Sequence, residues 1–398
     1  MQERKNKNQN NTSGSCPHAK DCGGCRYTGI PYKRELELKQ KYMEKLLGEF
    51  GEVLPIIPMK KPRHYRMKVH HVFGYVKGKI ISGSYKEGTH FIINTPDCLL
   101  EDETALAIIG TVKELAVSFK YKIYDEDRRT GFLRHIMIRK SRATGDVMLT
   151  LVVTSPIMPG KKNFISAITS VHPEIKTIVL NINTSKTSMV LGNDNVVIYG
   201  PGYISDEILG VKFRISPNSF YQVNPVQTEI LYKTAIDFAS SAMPSDAKEL
   251  RVLDAYCGTG TIGLCFSKST SATLTGVELN PNAVRDAISN ARANNIDNAE
   301  FLAADATEYM NRLDKKHSPF DIIFMDPPRS GSTPDFIRAC AKLSPKAIVY
   351  VSCGPETLAR DLKLFKSLGF SVNKIQPVDM FPLTGHVECV VLMSRRNT

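Results

Sequence analysis

Five apolar runs, at 251–254, 274–278, 299–305, 320–326 and 346–352, each end in a polar or acidic residue and then give way to loop or helix composition. A series of this kind predicts a parallel sheet that presents its side chains along one edge, because consecutive parallel strands need a helical crossover between them. The acidic ends Asp254, Glu278, Asp305 and Asp326 suit a small cationic, hydroxyl-bearing ligand. The fifth run ends at Ser352 and is followed by Cys353, and a thiol there suits attack on something bound beside that ligand. A protein that only binds has no use for the thiol.

The last two strands, predicted over Phe370–Pro377 and Val387–Met393, are separated only by a loop and should run antiparallel to each other. Five βα units closed by such a hairpin resemble the class I S-adenosylmethionine-dependent methyltransferase fold, an α/β architecture in which the seventh strand inserts antiparallel between the fifth and sixth. An antiparallel strand begins where its parallel neighbours end, so Glu388 is expected beside Cys353 although 35 residues separate them.

Asp254-Ala-Tyr-Cys-Gly-Thr-Gly260 follows the first strand and opens a helix. Gly258 and Gly260 let the backbone approach a ligand, and the helix N-terminus favours its carboxylate. Glu278 stands about where a ribose diol is held. The third glycine of the dinucleotide fingerprint is missing, which favours S-adenosylmethionine. The rigid Asp326-Pro-Pro-Arg329 turn fixes a carboxylate at the fourth strand end. Carbon 5 of a pyrimidine is too poor a nucleophile to take a methyl group unaided. A thiolate added at C6 makes C5 nucleophilic, and a base must then remove the C5 proton, which gives Cys353 and Glu388 their roles.

Ser216-Pro-Asn-Ser-Phe-Tyr-Gln222-Val-Asn224, Asp326-Pro-Pro-Arg329, Tyr350-Val-Ser-Cys353-Gly-Pro-Glu-Thr-Leu-Ala-Arg-Asp361 and Asp379-Met-Phe-Pro-Leu-Thr-Gly-His386-Val-Glu388 resemble the successive motifs of the RNA (uracil-5-)-methyltransferase family. The resemblance spans residues 15–393 and is strongest to the 23S ribosomal RNA members. It implies that Gln222, Tyr256, Glu278 and Asp326 contact the cofactor, that Cys353 is the nucleophile and that Glu388 accepts the proton. Gly354 stands where an Asn or Asp is common, and Leu383 where a His is common.

Cys16, Cys22 and Cys25 form C-x5-C-x2-C, and Cys98 is available as a fourth ligand. Spacing alone leaves zinc and an iron–sulfur cluster open; the resemblance implies a [4Fe-4S] cluster. Of the nine cysteines, Cys257, Cys265, Cys340 and Cys389 lie in or beside apolar runs and read as core thiols.

The expected organisation is a disordered tail over 1–14, an iron–sulfur segment and helix over 15–64, a central α+β RNA-binding domain over 65–212 and the methyltransferase domain over 213–398. The net charge of +12 suits a polyanionic partner. Lys60–Lys68, Arg128-Arg129, Arg134-His135 and Arg139-Lys140 are the basic candidates for gripping RNA, whose target uridine must be unpaired or flipped out. No signal peptide or membrane span is visible, so a cytoplasmic chain is expected. Nothing in the sequence calls for a membrane or an obligate protein partner. The tRNA T-loop is the alternative substrate, and a cluster-bearing RNA-binding or redox-sensing protein the alternative from another class.

Overall fold

The structure is a computed structural model that describes residues 16–86, 88–185, 189–244, 249–270, 272–313 and 320–396; the expected tail over 1–14 lies outside them. The chain opens with the short helix α1 (Ala19–Cys22) inside the cysteine loop, followed by α2 (Tyr32–Leu47). Glu35, Lys39, Met43 and Leu47 recur every fourth residue and form the buried stripe of α2. Met43 and Leu47 pack into the core of the C-terminal sheet. The helix ends at the Gly48 cap.

The central unit is a seven-stranded mixed sheet built from β1 (Lys68–Val76), β2 (Lys79–Tyr85), β3 (Ile92–Asn94), β4 (Leu133–Lys140), β5 (Val147–Val153), β6 (Ile175–Ile182) and β7 (Asp194–Tyr199), in the order β3-β2-β1-β4-β5-β6-β7. Helices α3 (Glu103–Ser118) and α4 (Lys161–Val171) bury their apolar residues with one face of this sheet. Met148 and Val179, on the other face, join the core of the C-terminal unit. Every residue of β5 is therefore buried, which explains its uninterrupted apolar sequence.

A hairpin of β8 (Ile204–Ile208) and β9 (Val211–Ile215) straddles residue 213 and packs on the C-terminal core through Ile204, Ile208, Val211 and Phe213. Its two-residue turn, Leu209-Gly210, has both residues at positive φ, which suits the twist of a tight hairpin. Helix α5 (Pro225–Ser241) follows, its start capped by Asn224.

The C-terminal unit then alternates strand and helix: β10 (Arg251–Ala255), α6 (Thr261–Thr270), β11 (Thr273–Glu278), α7 (Pro281–Ala293), β12 (Ala299–Ala303), α8 (Ala306–Arg312), β13 (Ile322–Met325), α9 (Pro334–Leu343), β14 (Ala347–Ser352) and α10 (Pro355–Ser367), closing with β15 (Phe370–Val378) and β16 (Glu388–Arg395). The sheet order is β12-β11-β10-β13-β14-β16-β15, with β16 antiparallel to both neighbours, as the hairpin reasoning expected. Alternate residues serve opposite cores: Val349 and Val351 of β14 face one layer, and Ile348 and Tyr350 the other. Both faces are covered, as a parallel sheet requires.

Residues 53–57 extend the sheet beyond β15, through parallel bridges from Val53 to Ile375 and from Ile57 to Val378. Inside this wrap, Lys39 Nζ donates to Glu35 Oε1 and Asp379 Oδ1, both at 2.7 Å, while Tyr32 donates its hydroxyl to Asp379 Oδ2 at 2.7 Å. Glu35 Oε1 also accepts the Leu383 N–H at 2.8 Å. Lys39 and Glu35 are wholly buried, so losing one partner strands charge in a dry interior. Lys39→Ala is expected to lower the unfolding free energy by about 3–5 kcal/mol, measured by chemical denaturation; a loss under ~1 kcal/mol, the range of a surface ion pair, would contradict this role.

Candidate active site

β14 and β16 pair with Ser352 opposite Cys389, so the next step of the ladder sets Cys353 against Glu388. Glu388 also faces Val378 of β15, which leaves it almost fully buried. Desolvation and the charge of Asp326 push the Glu388 carboxyl up to about 8, against the pull of Arg329. The Cys353 thiol is pushed up to about 11 by burial and by the negative charges of Glu388 and Asp326, again opposed by Arg329. Asp326, at the end of β13, rises to about 7 through desolvation. Two acids and a thiol thus crowd one edge, with Arg329 as the counter-charge felt by Glu388 and Cys353.

The loop bearing Arg329 is held from below. Asp361 accepts the Ser332 N–H at 2.7 Å and the Tyr350 hydroxyl at 2.8 Å, and Arg360 donates to the Ser330 and Ser332 carbonyls. Gly354 lies so close to this loop that a Cβ there would sit 2.9 Å from the Arg329 carbonyl oxygen. Its lack of a side chain, where the family pattern carries an Asn or Asp, fits that approach.

The glycine loop sits over the adjoining strand ends. Asp254 lies beneath it, 1% exposed, and accepts the Gly263 N–H at 2.9 Å; burial pushes its carboxyl up to about 7. Glu278 accepts the Gly258 N–H at 3.2 Å and the Asn280 N–H at 2.8 Å. Tyr256 has φ 67°, a left-handed conformation that strains a residue with a side chain, and its ring packs 4.9 Å from Phe336. Gly258 and Gly260 also have positive φ, and a Cβ at Gly258 would meet nothing within 4 Å, so the loop is open there. Asp305 is exposed and caps α8 by accepting the Thr307 and Glu308 N–H groups. Gln222 lines a crevice with Lys68, Arg139 and Tyr221.

Cys353 opens into a cavity of about 600 Å³. Arg329, His386 and Glu356 line it on the catalytic side. Arg26, Tyr27, Lys39 and Tyr42 line it from the N-terminal segment, a contribution that sequence reasoning missed. The hint available was the buried-stripe spacing of Glu35 and Lys39, which ties α2 to the 379–388 loop.

Cys16, Cys22, Cys25 and Cys98 come together around a second cavity, of about 310 Å³. Burial, with Cys16 and Cys22 nearby, pushes the Cys25 thiol up to about 11. His18 Nε2 lies 2.6 Å from Asp97 Oδ1, joining the cysteine loop to the segment that carries Cys98. Among the described residues, no three His, Cys, Asp or Glu side chains are set to hold a metal ion. The other four expected core thiols, Cys257, Cys265, Cys340 and Cys389, are buried.

Part of the expected RNA grip is corrected. Arg134, His135 and Arg139 are buried, at 2, 5 and 4% exposure. Arg134 donates to the Asn183 and Ser185 carbonyls and pairs with Glu126, Arg139 donates to the Pro217 and Ser219 carbonyls, and Lys140 pairs with Asp102. These cations satisfy the interior of the sheet and its junction with the C-terminal unit. Lys60, Lys61, Arg63, Arg128 and Arg129 are exposed. No helix among the described residues is long and apolar enough to cross a membrane.

Comparison with known proteins gives the same direction. An uncharacterized RNA methyltransferase of Clostridium acetobutylicum is 41% identical over 396 residues, covering 98% of this chain and 85% of the relative. One from Bacillus cereus is 40% identical over 385 residues, covering 96% and 82%. Among solved structures, the Pyrococcus abyssi tRNA (uracil-54, C5)-methyltransferase in complex with S-adenosyl-L-homocysteine is similar with a TM-score of 0.77 and 28% identity, covering 92% of this chain and 84% of that one. The pattern of the tRNA (Uracil-5-)-methyltransferase family matches residues 141–396. With a sheet of class I methyltransferase order and a thiol at its fifth strand end, this chain belongs to the RNA (uracil-5-)-methyltransferase family.

Proposed function

We propose that the chain methylates C5 of a uridine in 23S ribosomal RNA to 5-methyluridine, through a covalent bond between Cys353 and C6, with Glu388 as base. The observation that carries this reading is the pairing of β14 with β16, which sets the buried Glu388 carboxylate beside Cys353, whose thiol opens into the cavity.

When bound, S-adenosylmethionine supplies an electrophilic methyl group to C5. The glycine loop of Tyr256, Gly258 and Gly260, open at Gly258, would hold it, with Glu278 toward the ribose and Asp326 nearby. Asp254 supports that loop from beneath. Asp305, with one oxygen committed to capping, joins the set as the third strand-end acid, and Gln222 joins it by resemblance. The acidic lining suits a cationic ligand.

Cys353 Sγ bonds to C6, and the electron pair of the C5=C6 bond shifts into the enolate. After C5 is methylated, Glu388 accepts the C5 proton, the Sγ–C6 bond breaks and the double bond returns. Both groups act deprotonated, yet both stand above neutrality in the free chain. Asp326, Glu388 and Cys353 lie among like charges, so a bound cation lowers all three.

By resemblance to the cluster-bearing members of the family, the four thiols around one cavity would hold a [4Fe-4S] cluster. The bond-making above needs no electron, so the cluster would hold the N-terminal segment in place. Resemblance to the cluster-bearing 23S members supports ribosomal RNA. The tRNA T-loop is the second reading, favoured by the likeness to a tRNA (uracil-54, C5)-methyltransferase.

Glu388→Gln is expected to accumulate a covalent RNA adduct while turnover falls by roughly 10²–10⁴-fold, as loss of a general base does; Cys353→Ser should form no adduct. Gel-shift under denaturing conditions reads both, and full turnover by Cys353→Ser would end this mechanism. The kcat/KM for 5-methyluridine formation should rise with pH through about 8, the value for Glu388; a profile falling over pH 6–9 would contradict a carboxylate base. Anaerobically purified protein should carry iron and acid-labile sulfide that Cys98→Ser loses, and stoichiometric zinc would overturn the cluster. Mapping 5-methyluridine in a deletion strain decides the substrate: loss from 23S rRNA is expected, and loss from tRNA alone would establish the second reading.

A further inference from the structure

The wall of the Cys353 cavity that comes from the N-terminal segment has no task in the chemistry above. Arg26 and Tyr27 both donate their backbone N–H groups to the Leu383 carbonyl, at 2.9 and 3.0 Å, which seats them on the loop leading to Glu388. Leu383 is itself held at φ 67°, its N–H committed to Glu35. Gly385 lets Arg26 lie close, for a Cβ there would come 3.1 Å from Arg26 Cδ. Tyr27 is half-buried, with the cations of Lys39 and Arg26 at 5.6 and 5.9 Å from its ring centroid. Tyr42 stands farther along the same wall, its hydroxyl bonded to Glu356.

Arg26 is exposed, and among the described residues no carboxylate lies within ion-pair distance of it. An exposed guanidinium and a half-buried aromatic ring on a pinned backbone are the two elements with which proteins hold single-stranded nucleic acid, by phosphate contact and base stacking. The target ring cannot be the stacked base. The thiol needs access above one of its faces and the methyl donor needs access to C5, so a flat platform against it would obstruct the reaction.

We propose that this wall binds the nucleotide next to the target uridine, with Tyr27 stacking on its base and Arg26 taking the phosphate between the two. The cysteine loop thereby acts as a positioning and specificity element for the neighbouring base. The inference rests on the uridine-methylating reading.

The test uses the full chain and single-stranded RNA spanning the mapped target, with 5-fluorouridine at the target and either an intact or an abasic nucleotide on each side in turn. Fluorine at C5 cannot leave as a proton, so wild-type protein accumulates the adduct. One abasic flank is expected to weaken wild-type binding about ten-fold, the scale of a stacked base. Tyr27→Ala should bind the intact RNA about ten-fold more weakly and be indifferent to that abasic flank, while Tyr27→Phe keeps wild-type behaviour. Arg26→Ala, a change at an exposed side chain, should reduce the slope of log affinity against log salt by about 0.7, one phosphate's worth for a single strand. Equal abasic penalties in wild type and Tyr27→Ala, or an unchanged salt slope in Arg26→Ala, would overturn the proposal while leaving the chemistry standing. If wild-type protein forms no adduct at all, the uridine-methylating reading falls and this inference falls with it.

Discussion

The antiparallel entry of β16 between β14 and β15 is the constraint on which the site depends. Parallel strands all end at one edge, and their terminal side chains can only be neighbours of other endings. A strand running the opposite way delivers the start of a segment to that edge, so Glu388 enters where Cys353 leaves. The same step buries Glu388 between two strands and places it near Asp326, and both carboxyls rise well above their usual range. Such clustering of like charge in a desolvated edge opposes folding, and groups with shifted proton affinity gather at functional sites.

A second consequence concerns the N-terminal segment. It does not hang from the central unit, because α2 and residues 53–57 are built into the C-terminal fold at the β15 edge. Lys39, Glu35, Tyr32 and Asp379 form a closed polar network between α2 and the loop that delivers Glu388. The cysteine loop is attached to that loop by two backbone hydrogen bonds at Leu383. Anything that orders the cysteine loop therefore orders one wall of the Cys353 cavity.

What was legible in the sequence was what local periodicity and strand-end chemistry encode. Apolar runs covered on both faces, the Asp254–Gly260 loop and the short 379–387 connection suffice to place seven strands and to bring Cys353 to Glu388. The paired hairpin at 204–215 was not legible, since Leu209-Gly210 is a weak turn signal and its alternation is only five residues long on each side. Charge misled at Arg134 and Arg139, where side-chain type suggests a solvated face but backbone carbonyls of distant segments draw the cations inside, and His135 is buried as a neutral ring. The spacing of Glu35 and Lys39 places them on one stripe of α2, but Asp379, which closes over Lys39 from some 340 residues on, lies beyond the reach of local pattern. Asp305 is a strand-end acid by sequence and a helix cap by structure, because its neighbours begin α8 at once.

The contact between Cys353 and Glu388 can be tested without RNA or cofactor. Peptide-resolved alkylation of Cys353 as a function of pH reports its thiolate fraction. The account predicts that the thiol ionises far above an ordinary cysteine, toward about 11, and that Glu388→Gln removes a negative charge and speeds alkylation at pH 9–10. Identical alkylation profiles in the wild type and the Gln variant would mean that the two side chains do not meet.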